Sequence, residues 1–313
     1  MTVGVSHRGS SAGHPKTELE PAPASGPTFL TIVHEIAGLF ARAGIAQPAT
    51  EARDLVAAVL DKPRFWPALH AADAPLAHDL ANMRIAARRR AMGAPFAYAV
   101  GCASFRFLTL SVDERVLIPR PETEQLVELV LASAQAKRGG IAVDIGTGSG
   151  AIALALAAEG RFSRVLATDI SSDALAVASE NQWRSTPSLV APVDLRAGAG
   201  LAPLGDLMVD VLVANPPYIA YSEMHQLPRL VRDWEPAQAL CCAGDGLEVT
   251  RSIVRDAPAT LRPGGLLALE VDCRRAEVVA ALVEETGAFE PPLVRRDYTG
   301  RDRFILATRR TAD

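Results

Sequence analysis

Between residues 141 and 308, short apolar runs alternate with helical patterns. A chain patterned this way buries its strands only by forming a parallel sheet covered by helices on both faces. Ile141–Ile145 reads as a strand and Ile152–Ala158 as a helix. Arg164–Thr168 is a second strand, followed by a helix through about Gln182. Val190–Leu195 is a weaker third strand and Val209–Ala214 a strong fourth. Helix 246–260 precedes strand Leu266–Val271, and helix 275–286 precedes final strands near Val294 and at Phe304–Thr308.

The first strand runs into Val143-Asp144-Ile145-Gly146-Thr147-Gly148-Ser149-Gly150. Glycines let the backbone turn sharply and approach a ligand closely, and the helix that follows offers unpaired N–H groups to an anion. The spacing is G-x-G-x-G, not the G-x-G-x-x-G of dinucleotide sites, and no phosphate-loop Gly-Lys-Ser/Thr ending is present. Asp169 closes the second strand, 23 positions after Gly146. A carboxylate there can accept hydrogen bonds from both hydroxyls of a ribose. A tight turn with a capping aspartate is the plainer alternative. Both features at this spacing suit a nucleoside-bearing cofactor, and the glycine register favours S-adenosylmethionine over a nicotinamide.

Asn215-Pro216-Pro217-Tyr218 follows the fourth strand directly, where open α/β sheets bind ligands. Such a tetrapeptide can also be no more than a turn. Its chemistry nevertheless fits a planar NH2 group. An amide nitrogen is a poor nucleophile because its lone pair is delocalised, so its N–H bonds need well-placed acceptors. Asn215 Oδ1 can accept one and the Pro216 carbonyl the other. Tyr218 offers a flat face to the same group. No metal is needed.

The remaining chain sets the context. Residues 1–27, rich in Gly, Ser, Pro and His, read as a disordered tail with no apolar signal core. Residues 28–93 read as a small helical docking domain, with Leu30, Val33, Ile36, Ala37 and Phe40 as one stripe. Residues 94–120 read as a β-hairpin linker turning at Asp113-Glu114, and 121–313 as the catalytic domain. The composition is 49% hydrophobic with a net charge of −4, ample for a core and unsuited to non-specific nucleic-acid binding. The basic run Arg84–Arg90 reads as a solvated helix face. Cys102, Cys241, Cys242 and Cys273 show no metal or disulfide spacing and suit a reducing cytoplasm. No run of about 18 apolar residues suggests a membrane span. A monomer is expected.

Taken together, these motifs resemble the peptide chain release factor N5-glutamine methyltransferases, the HemK/PrmC family. The resemblance covers most of residues 93–310. It includes Gly93-x-Pro95-x-Ala97-Tyr98, Gly101, Phe105 and Val116-Leu117-Ile118-Pro119-Arg120-Pro121-Glu122-Thr123-Glu124. It continues through the glycine loop, Asp169, Asn215–Ile219, Glu235-Pro236 and Arg296-Asp297-Tyr298-x-Gly300-Arg301-Asp302-Arg303. The Pro-Arg-Pro-Glu-Thr-Glu segment discriminates, since base methyltransferases acting on adenine N6 or guanine N2 share the other two motifs.

The resemblance implies a seven-stranded class I S-adenosylmethionine-dependent methyltransferase fold behind a helical domain. It implies methyl transfer to the glutamine of a release factor's Gly-Gly-Gln loop. Gly146, Thr147, Gly148, Ser149 and Gly150 would hold the methionine moiety, Asp169 the ribose, and Asn215 to Tyr218 the glutamine. Phe105 and Arg120 would line the mouth.

Two stretches depart from the family pattern. Its usual acidic residue past the third strand is missing from Arg196-Ala197-Gly198-Ala199-Gly200, which leaves Ala199 near the adenine. Its usual Leu-Glu-Ile-Gly-x-x-Gln reads Leu269-Glu270-Val271-Asp272-Cys273-Arg274-Arg275. Asp302 and Arg303 are expected to pair with each other, and His225 to lie on a surface loop. A base methyltransferase and a fold-retaining binding protein without activity are the competing readings.

Overall fold

The computed structural model describes residues 26–311; most of the expected disordered tail lies outside the described residues. Five helices come first: α1 (Phe29–Arg42), α2 (Pro48–Val59), α3 (Trp66–Leu69), α4 (Ala77–Ala91) and α5 (Phe96–Val100). The Thr28 hydroxyl accepts from the Thr31 amide and caps α1, and Pro48 opens α2 where its missing N–H costs nothing. The buried stripe of α1 is Phe29, Ile32, Ile36 and Phe40, packed on Leu55, Val56 and Met83. Leu30, expected on that stripe, is half exposed because the stripe begins one residue earlier.

The hairpin is present as β1 (Cys102–Phe105) and β2 (Leu108–Ser111), but it turns at Arg106-Phe107 and not at Asp113-Glu114. Arg106 is held at φ 52°, an unusual value for a residue with a Cβ. Its amide donates to Glu124 Oε1 at 3.0 Å, and its guanidinium forks onto Glu159 with two 2.6 Å bonds. Asp113 instead accepts from the Arg115 amide in the loop beyond β2.

After α6 (Pro121–Ala132), strands and helices alternate as the pattern requires. They run β3 (Ile141–Ile145), α7 (Ala151–Glu159), β4 (Arg164–Asp169), α8 (Ser172–Ser185), β5 (Val193–Ala197) and β6 (Val209–Ala214). Two short strands, β7 (Ile219–Ala220) and β8 (Cys241–Cys242), flank the one-turn helices α9 (Arg229–Arg232) and α10 (Ala237–Leu240). The chain ends with α11 (Glu248–Thr260), β9 (Leu261–Glu270), α12 (Ala276–Glu285), β10 (Leu293–Arg296) and β11 (Asp302–Thr308). β9 starts earlier than expected, since a register shift lets Leu261 pair with Val209 before Leu266 pairs with Val211.

The main sheet has seven strands in the order β10-β11-β9-β6-β3-β4-β5. The five from β9 to β5 are parallel, and β11 and β10 add antiparallel edges. Alternate residues face opposite layers, as a period of two demands. Val165, Ala167, Val211 and Val213 share a core with α6 and α7. Val143, Ile145, Leu166, Leu212 and Ala214 share another with α11 and α12. The expected Asp302–Arg303 pair does not form: neighbours on a strand face opposite ways, so Asp302 pairs with Arg296 and Arg303 with Asp297.

Strand order reverses at β3, which places a crevice between the tips of β3 and β6. Ile145 pairs with Ala214, so Gly146 and Asn215 leave the sheet side by side. Thr168 pairs with Ile145, and Ala214 with Leu269. Asp169, Gly146, Asn215 and Glu270 therefore occupy four adjacent strand tips in one row.

Candidate active site

The glycine loop forms one wall of a cavity of about 450 Å³. Gly146, Gly148 and Gly150 all have positive φ. A Cβ on Gly148 would meet nothing within 4 Å, so the loop leaves open space where a side chain would intrude. Asp169 Oδ2 accepts from the Gly148 amide at 2.9 Å, and Oδ1 accepts from the Ser171 amide at 2.9 Å. The carboxylate thus braces the loop while lining the cavity. Asn181 pins the loop from behind, donating to the Ser149 and Ser111 carbonyls at 2.9 Å. Ile170, Gly198, Ala199 and Gly200 line the far end, and Asn215, Pro216 and Pro217 the near end.

Of the expected cofactor residues, Gly146, Gly148, Asp169, Ala199 and Asn215 line this cavity. Thr147, Ser149 and Gly150 shape the loop without lining it. Thr147 Oγ1 donates to Asp144, whose carboxyl is fully buried beneath the loop. Burial pushes that carboxyl up to about 7, against the hydrogen bonds from Thr147 and the Ala153 amide. The open glycine cradle, the ribose-height carboxylate and the apolar far end fit an S-adenosylmethionine-sized nucleoside.

A second cavity, about 180 Å³, lies on the other side of the tetrapeptide. Leu117, Asn215, Pro216, Pro217 and Ala239 line both spaces; Tyr218 and Arg120 line the second alone. Asn215 Nδ2 donates to Thr123 Oγ1 at 3.1 Å, and Cys242 Sγ donates to the Pro217 carbonyl at 3.2 Å. Among the described residues, no donor meets Asn215 Oδ1 or the Pro216 carbonyl. Gly246 makes this packing possible, since a Cβ there would sit 2.6 Å from the Tyr218 carbonyl oxygen. Burial, followed by the nearby Glu270 carboxyl, pushes the Tyr218 phenol up to about 12, so it stays neutral.

The segment after Pro119 ties these parts together. Arg120 pairs with the buried Glu235, which also accepts from the Ile118 amide at 3.3 Å. Pro121 opens α6, and Thr123 in its first turn reaches both Asn215 and Glu270. Glu124 holds the hairpin turn through Arg106. Phe105, by contrast, is wholly buried in the core with Leu110, Leu126 and Val127 and lines neither cavity. His225 is exposed, as expected for a surface loop.

The sequence motifs assign no site role to Thr123, Glu270 or Asn181. Thr123 stood inside the discriminating segment and Glu270 at a strand tip, so both carried a positional signal. The departure at Asp272-Cys273-Arg274-Arg275 is a closed ion-pair cluster. Arg274 and Arg275 each bind both Asp272 and Glu223, tying the segment after the tetrapeptide to the tip of β9.

A glycine loop at the switch point, an acidic second strand tip and a seven-stranded sheet of this order define a class I methyltransferase fold of the S-adenosylmethionine-dependent kind. Comparison with known proteins narrows this. Residues 31–101 match the model described as PrmC N-terminal domain, and residues 123–232 the Methyltransferase small domain. The chain is 43% identical over 272 residues to the release factor glutamine methyltransferase of Moorella thermoacetica, covering 86% of this chain and 94% of the relative. It is 40% identical over 269 residues to that of Cereibacter sphaeroides, covering 85% and 93%. For that of Mycolicibacterium smegmatis the identity is 38% over 279 residues, covering 89% and 97%. The chain belongs to the release factor glutamine methyltransferase family.

Proposed function

We propose that this chain transfers a methyl group from S-adenosylmethionine to the side-chain amide nitrogen of the glutamine in a release factor's Gly-Gly-Gln loop. The observation that carries the reading is the shared lining: Asn215, Pro216 and Pro217 border both a cofactor-sized cavity and a smaller one. An NH2 group in the smaller cavity meets two free acceptors, Asn215 Oδ1 and the Pro216 carbonyl. Both N–H bonds are then engaged, and the nitrogen lone pair is turned toward the cofactor side. The cofactor supplies an electrophilic methyl when bound. Gly146, Gly148, Asp169 and Ala199 would hold it, and the neutral Tyr218 ring would pack against the planar amide.

Other parts of the reading follow from the same site. Arg120, fixed by Glu235, would stand at the entrance. The helical region would dock the release factor, with 94–120 as the linker, and the chain would act as a monomer in the cytoplasm. No helix among the described residues is long and apolar enough to cross a membrane. In the basic run on α4, Arg84, Arg89 and Arg90 are paired with Glu35, Glu114 and Glu51, which leaves Arg88 as its one exposed arginine without a carboxylate partner among the described residues.

Incubation with methyl-labelled S-adenosylmethionine and a bacterial release factor tests the proposal. Label is expected on the Gly-Gly-Gln glutamine and absent from a Gln→Ala release factor. Equal labelling of both, or label entering DNA or RNA alone, would refute it.

A further inference from the structure

The hydrogen bonds behind Asn215 have a direction, and that direction decides which end of its amide faces the substrate. Thr123 is buried, with its Oγ1 2.8 Å from Glu270 Oε2 and 3.1 Å from Asn215 Nδ2. A hydroxyl owns one proton, and a carboxylate can only accept. Where Glu270 is ionised, above about pH 7, the Thr123 proton is therefore committed to it, and the Thr123 oxygen can only accept from Asn215. An accepting oxygen selects Nδ2, which leaves Oδ1 turned away from Thr123. Reversing the amide would set a carbonyl oxygen against an oxygen with no proton to give. It would also present an NH2 group to a substrate NH2 group. Glu270 is itself at the tip of β9, one strand over from Asn215, and Thr123 sits in the first turn of α6 behind Pro121. The relay is thus anchored on two rigid elements.

We propose that Thr123 is a positioning residue that fixes the orientation of the Asn215 amide, with Glu270 as the anchor, so that the site presents an acceptor and selects substrates carrying an NH2 donor. This rests on the reading of Asn215 given above.

The test is steady-state kinetics of release-factor methylation with calorimetric titration of S-adenosylmethionine, on wild type, Thr123→Val, Thr123→Ser and Asn215→Ala. Thr123→Val keeps the shape and loses the hydroxyl. Its kcat should fall about tenfold to a hundredfold, the scale of a misplaced reacting group, with cofactor affinity unchanged. Thr123→Ser should recover most of the loss. Thr123→Val at wild-type kcat, with Asn215→Ala inactive, overturns the relay and spares the function. Asn215→Ala at wild-type kcat overturns both. Should Thr123→Val fail to fold, Glu270→Met and Glu270→Gln form the second pair. Met removes the terminal acceptor and should lose kcat, whereas Gln keeps one and should retain more. Equal kcat in these two variants overturns the proposal.

Discussion

Replacing Asn215 by alanine removes one of two acceptors for the reacting NH2 group but touches the cofactor cavity only at its near end. Turnover should fall about a hundredfold or more, while S-adenosylmethionine affinity changes little. Single-turnover rates and calorimetry on the same preparation separate the two. Asp169 should behave in the opposite way. Its carboxylate both lines the cavity and accepts from the Gly148 amide, so Asp169→Ala should weaken cofactor binding by about 1.5–3 kcal/mol, the scale of a hydrogen bond to a charged group. Calorimetric Kd values check this; an unchanged affinity would remove Asp169 from the site. At this scale the sequence was most informative where chemistry and chain position coincide, as at Asn215 and Asp169. It was silent on Thr123 and Glu270, whose hydrogen bond spans 147 residues and appears only once α6 packs against β9. It misplaced Phe105, because a motif residue beside a turn can serve the core as readily as the site.

Among the elements, the glycine loop and the hairpin carry the sharpest expectations. Gly148 sits at φ 55° with open space beyond it. An alanine there would add roughly 1–2 kcal/mol of left-handed strain and project a methyl into the cavity. Gly148→Ala should therefore still melt cooperatively while losing cofactor affinity about tenfold or more. The hairpin depends on the fork between Arg106 and Glu159, which are both mostly buried. Glu159→Ala should destabilise the chain by about 1–3 kcal/mol, read by urea unfolding, and leave S-adenosylmethionine affinity intact. The alternation of strands and helices was legible because buried parallel strands need apolar runs and their crossovers need helices. The turn at Arg106-Phe107 was not, since a non-glycine residue at positive φ is stabilised here by carboxylates far away in sequence.

For the whole molecule, the row of four strand tips carries one buried acid, Glu270. Burial pushes the Glu270 carboxyl up to about 7, against the hydrogen bond from Thr123 and the charge of Arg303. The folded chain thus holds this proton more tightly than the unfolded chain, so the Glu270 contribution to stability falls as pH rises from about 4.5 toward about 7. Glu270→Gln removes that slope, and its Tm relative to wild type should be more favourable at about pH 8.5 than at about pH 5.5. Asp297 acts with the opposite sign. Burial pulls it upward, but hydrogen bonds from Thr299, Arg301 and Arg303 outweigh this and bring it down to about 2. Its support is present above about pH 4 and is lost as pH falls toward 2. At this scale the overall sheet could be read from the sequence, whereas the second cavity could not, because it is closed by segments 117–120, 215–219 and 227–240 arriving from distant parts of the chain. The most direct measurement is a crystal structure of the chain with S-adenosylhomocysteine and a peptide bearing Gly-Gly-Gln. The proposed geometry predicts the glutamine Nε2 within about 3 Å of both Asn215 Oδ1 and the Pro216 carbonyl oxygen, facing the cofactor sulfur directly, with no protein atom between them. A glutamine bound elsewhere, or Asn215 turned away from it, would contradict that geometry.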